Sequence, residues 1–380
     1  GDNNSSQYGR VLNLLCEHVE FAPCTEHNRI STYAPHLKRM NVEHLLATCT
    51  GMELTSTPLP ISHLNAFPLH EHPHTQDGGA PLPDTDPDVQ IERLAFWDNR
   101  SEKLIQQNHP DIGWLFYDKN GDGKPDAGHA KGIPHIDVIE VHPPQNIFKE
   151  PVVKNSRGEA SNNRMLNWMQ LLNQGKRIPG VVNTDAHYNI HGSGWLRNWI
   201  ASPTDDPAKV KTLDVVHESE RGRIVMSNGP FLTAAMAVGD EAKAPSFGPG
   251  DEVLATGGKA SLHVRVQCPN WFDVDRVQLF INGVADPKLN FTREKNPDAF
   301  SGGVVKFDQT IPLTFTGDTH VIVATIGERS GLGHVMGTEH AKTPPVAVTN
   351  PIYVDVDGGG FKPNLDTLGT PLPVKAGTSK

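Results

Sequence analysis

Leu12, Leu15, Cys16 and Val19 recur at helical spacing, which predicts an amphipathic helix over 5–19 with Ser5 or Ser6 as its cap. A strand is predicted over 20–25, and helical periodicity returns over 31–40. Strand-length apolar runs follow at 45–53, 61–67, 103–107 and 136–141, and Val181-Val182 after Pro179-Gly180 reads as another. The run Ile136-Asp-Val-Ile-Glu-Val141 is nearly continuous, as in a parallel strand covered on both faces. Helices are predicted over 87–97, 161–174 and 206–222. In the second of these, Met165, Trp168, Met169 and Leu172 form one stripe that reads as core, and Gly175 ends it. Strands and helices thus alternate, the pattern of an α/β sheet or barrel.

Beyond Ser227-Asn-Gly-Pro230 the period changes. Leu262, Val264, Val266 and Cys268 alternate with polar residues, Val277, Leu279 and Ile281 do the same, and Asn282-Gly283 is a hairpin turn. Another strand is predicted over 319–326. Short alternating strands without helices read as an antiparallel, immunoglobulin-like β-sandwich. The expected organisation is a barrel or sheet domain over 1–230, a sandwich over 231–357, and a poorly ordered Gly/Pro/Thr-rich tail over 358–380.

A chain of 380 residues fits two domains, and 37% hydrophobic with 21% charged residues suffices for a sizeable core. The net charge of −10 argues against nucleic acid or an anionic membrane as partner. No window reaches the roughly 20 apolar residues of a membrane span, and no signal peptide is recognised. Cys16, Cys24, Cys49 and Cys268 lack zinc-finger spacing and read as buried free thiols, with a Cys24–Cys49 bridge as the alternative.

The chemistry sits at strand ends. Glu26-His27, Glu53, His63, His109, Asp185 and His187 each close or follow a predicted strand. Residues i and i+2 of an extended segment share a face, so Asp185 and His187 are expected to converge. Carboxylates mixed with imidazoles suit Zn, Mn or Fe, and loops at the C-terminal ends of βα-unit strands meet at one mouth. Buried charge of this density calls for pairing or a metal. His70, His72 and His74 lie in a Pro/Asp/Gly-rich loop and read as solvated. Asp118, Asn120, Asp122 and Asp126 begin like a calcium loop, but position twelve is His129 instead of the bidentate Glu. A rigid Asx/Gly turn is expected there, with a weak Ca site as the alternative.

The same residues resemble the PHP superfamily of metal-dependent hydrolases, and within it the carbaryl- and carbofuran-hydrolase-like (CehA/McbA) branch. The matching elements are Thr25-Glu-His-Asn28, Gly51-Met-Glu53, Ser62-His-Leu-Asn-Ala-Phe67, Asn108-His-Pro110, Asn183-Thr-Asp-Ala-His187 and Gly222-Arg-Ile-Val-Met-Ser-Asn-Gly-Pro230. The resemblance covers residues 1–230 closely and the sandwich loosely. It implies a distorted barrel of about seven strands holding two to three divalent metals, and a small-molecule phosphoester or carboxyl or carbamate ester as substrate. By motif, Glu53 would bridge two metals, His63 and His109 would complete one site, Asp185 would hold its neighbour, and His27 and His187 would serve a third. Glu26 would either support a ligand or act as general acid or base. The His-x-His strand that opens the family has no counterpart before the first helix, so fewer metals are expected. The family's habits lean toward a periplasmic or secreted location, with the cytoplasm as alternative. A rival reading keeps the metal without catalysis and gives the sandwich a carbohydrate- or protein-binding role.

Overall fold

The structure, a computed structural model, describes residues 6–58, 61–154, 158–187, 192–239 and 245–376. It is mixed α/β, with strands predominating over the eight α-helices among the described residues. None of these helices is long and apolar enough to cross a membrane.

A five-stranded sheet organises the first half, in the order Met52–Thr55, His63–Phe67, Leu104–Gln107, Val138–Glu140, Gly180–Val181. Its first two pairings are antiparallel and its last two parallel. Phe21–Pro23 pairs in parallel with Ala47–Cys49, and a bridge from His27 to Glu53 ties this pair to the larger sheet. The predicted helices form as Gln7–Cys16, Ala34–Met40, Pro87–Ala95, Arg164–Asn173 and Thr212–Glu220. Asn163 caps the fourth through Met165 and Leu166, so this helix starts later than the sequence suggested. Trp168 is fully buried and donates to the Ile178 carbonyl at 2.9 Å. Gly180 has room only for hydrogen, since a Cβ there would lie 3.0 Å from the Trp168 ring.

The expected seven-stranded barrel is not closed, and two asparagines explain why. Asn198 accepts the Val182 N–H at 3.0 Å and donates to the Val182 carbonyl at 2.8 Å. Asn350 does the same for Gly180, at 2.8 Å in both directions. Side-chain amides therefore occupy the main-chain groups to which a closing strand would bond.

The second half contains an eight-stranded and a three-stranded sheet that share one core, including Leu262, Val264, Val277, Leu279, Val321 and Val323. Asn282 and Gly283, both at positive φ, turn the hairpin between Arg276–Ile281 and Val284–Thr292 as expected. Two findings differ from expectation. Glu252–Leu254 runs parallel to Ile352–Asp355 within an otherwise antiparallel arrangement. Arg197–Ile200 and Ile224–Ser227 join the eight-stranded sheet, so that sheet crosses the boundary expected near Phe231.

The segment after Gly358 is not a loose tail. Leu368 and Leu372 pack against the core cluster that contains Trp168 and Met169 and also Phe280 and Ile322. Gln170 donates to the carbonyls of Thr367 and Thr370, and Asn173 to that of Asp366. Lys375 sits over the Trp114 ring at 3.8 Å. All four cysteines are free; Cys16 is exposed, the other three are buried, and no Cys24–Cys49 bridge forms.

Candidate metal centre

Glu53 and His63 come from neighbouring antiparallel strands, one step diagonal to each other, and His109 follows the third strand of the sheet. The twist of the sheet brings one ligand atom of each within 4.8 Å of the others. Glu53 Oε1 lies 3.0 Å from His63 Nδ1, both are buried, and neither atom has an aligned hydrogen bond. The His63 and His109 rings meet edge to face at 4.8 Å. Burial alone would raise the Glu53 carboxyl, but His63, His27 and His109 hold it below the ordinary carboxylate range. Burial pushes the His109 imidazole down, toward the neutral form that ligates metals, against the pull of Glu140.

Glu53 and His109 line a cavity of about 300 Å³. Its lining also includes Glu26, His27, Asp185 and His187, the last three with partly or fully exposed side chains, and the apolar Phe21, Phe67, Leu104 and Val181. Asn28, His109 and Asp185 all have positive φ, at 50°, 27° and 47°. Of these, His109 and Asp185 line the cavity, and strained non-glycine backbone clusters at functional sites.

Among the described residues, Glu53, His63 and His109 are the predicted ligands that gather as a group of three. His27 Nδ1 lies 3.7 Å from Glu53 Oε2 and 2.6 Å from Thr55 Oγ1. Its ring is 5.5 Å from that of His187. His187 Nδ1 lies 2.7 Å from the main-chain oxygen of Asp185 and 3.6 Å from its carboxylate. A left-handed turn at Asp185 replaces the expected extended run, yet the two side chains still meet at 3.6 Å, and that of Asp185 stays exposed. Glu26 lines the cavity, and its carbonyl accepts the Glu53 N–H at 2.9 Å.

The sequence reading missed Glu140. It is 1% exposed, accepts the His109 N–H, and takes the Asn183 amide at 3.3 Å. The signal was present: a lone glutamate at the end of the apolar run 136–141, like the strand-end carboxylates singled out elsewhere.

The calcium-like loop closes on itself. Asp118 accepts the N–H groups of Asp122, Gly123 and Lys375, and Asp126 those of Lys119 and Gly128. The rigid-turn reading accounts for all four predicted residues, with Asn120 bonded to Asp122. His70, His72 and His74 are exposed, the first two beside Asp98. Two other groups have a ligand-like composition. In Asp86, Asp88 and His129, Asp88 already pairs with Lys119. In Asp318, Asp355 and Asp357, main-chain N–H groups occupy the carboxylates.

Comparison of the chain with protein-family models, curated proteins and solved structures found no match.

Proposed function

We propose that this chain is a metal-dependent hydrolase acting on a small phosphoester or a carboxyl or carbamate ester. One observation carries the reading. Glu53 Oε1 and His63 Nδ1 are buried and 3.0 Å apart with no aligned hydrogen bond, and His109 beside them lines a cavity. Their mutual contact is poorly aligned, and a divalent cation would satisfy both atoms at once. One carboxylate and two imidazoles fit Zn, Mn or Fe. The motif resemblance to the PHP superfamily supports the same assignment, with the fold read as an opened relative of its barrel followed by a β-sandwich.

Glu53, His63 and His109 would hold the ion. When bound, it would supply a water of lowered pKa and a Lewis acid for the oxygen of the scissile bond. The chain's own residues do the rest. Phe21, Phe67, Leu104 and Val181 hold the apolar part of the substrate and exclude bulk water. Glu26 and His27 line the cavity to take or return a proton, with Thr55 fixing the His27 ring through Nδ1.

The test is hydrolysis of p-nitrophenyl acetate and p-nitrophenyl phosphate, before and after dialysis against EDTA and again after zinc or manganese is restored. Activity that disappears with the metal and returns with it supports the reading. Hydrolysis indifferent to EDTA, or absent from zinc-loaded and manganese-loaded protein with both substrates, contradicts it.

A further inference from the structure

The peptide of His109 is gripped from both sides by buried charge. Its N–H donates to Glu140 Oε2. Its carbonyl accepts from Arg164 Nη2 at 3.0 Å, and Arg164 also donates to the carbonyls of Pro110, at 3.1 Å, and His142, at 3.5 Å. The same guanidinium thus fastens the two loops that follow adjacent parallel strands, one ending at Gln107 and the other at Glu140. Between the two grips His109 holds a φ of 27°, a conformation a non-glycine residue keeps only when its surroundings enforce it.

Packing alone does not call for this arrangement. Glu140 is all but fully buried and Arg164 is partly buried. Burial disfavours the charged guanidinium, and Glu140 counters it. Ionic groups placed so deeply cost stability against apolar residues of similar volume. Here both charges act on the main chain of one candidate ligand.

We infer that Glu140 and Arg164 are positioning residues that hold the His109 imidazole ready for the metal. The inference rests on the proposed metal centre. It assigns a role to Glu140, at the wall of the cavity, and to Arg164, outside its lining, and it makes Arg164 act on the metal through the main chain of His109. Removing partners that orient a ligand typically weakens metal binding about 10–100-fold.

The experiment measures zinc affinity by competition with a chromogenic chelator. The proteins are the wild type, Arg164→Met, Arg164→Lys, Glu140→Gln, His109→Ala and the double variant His109→Ala/Arg164→Met. Arg164→Met is expected to lose about 10–100-fold in affinity. Arg164→Lys, which keeps a donor and the charge, should recover part of that, and Glu140→Gln, which keeps an acceptor, should lose less. If Arg164→Met does not fold, Arg164→Lys and Glu140→Gln carry the comparison. In the His109→Ala background the Arg164 change should cause no further loss. Wild-type affinity in Arg164→Met, or an equal loss in both backgrounds, overturns the inference while leaving the metal centre standing. Failure of the wild type to bind zinc overturns both.

Discussion

Glu53 Oε1 and His63 Nδ1 face each other at 3.0 Å across a diagonal of two antiparallel strands, where Glu53 stands opposite Asn65 and His63 opposite Thr55. Sheet geometry sets this contact, because diagonal neighbours on one face lie within reach of long side chains. Two groups that would each prefer water are thereby kept dry and in contact, without an aligned hydrogen bond between them. The neighbouring imidazoles of His27 and His109 add to a field that favours the Glu53 carboxylate in its charged form. The three side chains could hold a cation without moving far.

Asn350 ties the two halves together by bonding both main-chain groups of Gly180, and it also donates to the Ile224 carbonyl at 3.3 Å. Asn350→Ala would leave a buried N–H and a buried C=O without partners, at about 1–3 kcal/mol each. The urea midpoint should fall correspondingly, with the slope of the transition unchanged. A midpoint equal to that of the wild type would show that the edge strand does not depend on this amide.

His320 is fully buried and donates through Nε2 to Asn173 Oδ1 at 2.8 Å. Burial pushes its pKa down to about 3. The unfolded chain binds this proton below about pH 6.5 and the folded chain does not. Stability from this residue is therefore complete above that pH and is lost as the pH falls toward 3, by up to about 1.4 kcal/mol per unit. Across roughly pH 6.5 to 4, urea titrations should show His320→Gln losing less stability than the wild type on acidification. Parallel pH profiles would mean that His320 is already charged in the fold.

Most elements were legible in the sequence because their periods were clean, as in the stripe of Met165, Trp168, Met169 and Leu172 or the alternation of Leu262, Val264 and Val266. The strand-end rule placed Glu53, His63 and His109 together. It also brought Asp185 beside His187, at 3.6 Å, though through a left-handed turn at Asp185 instead of the extended run the rule assumes. Closure of the sheet was unreadable because it hinges on two polar side chains, Asn198 and Asn350, distant in sequence from the strand they cap. The ordered segment after Gly358 was missed for a related reason. Its composition is that of a loose tail, while its order comes from Gln170 and Asn173, which grip its carbonyls from a buried helix.

The central claim is that Glu53, His63 and His109 form the metal centre and Asp185 lies outside it. Zinc retained after equilibrium dialysis, measured by mass spectrometry on wild type, Glu53→Ala and Asp185→Ala, tests this most directly. The account predicts tightly held zinc in the wild type and in Asp185→Ala, and its loss in Glu53→Ala. Equal zinc in Glu53→Ala and the wild type, or loss confined to Asp185→Ala, would contradict it.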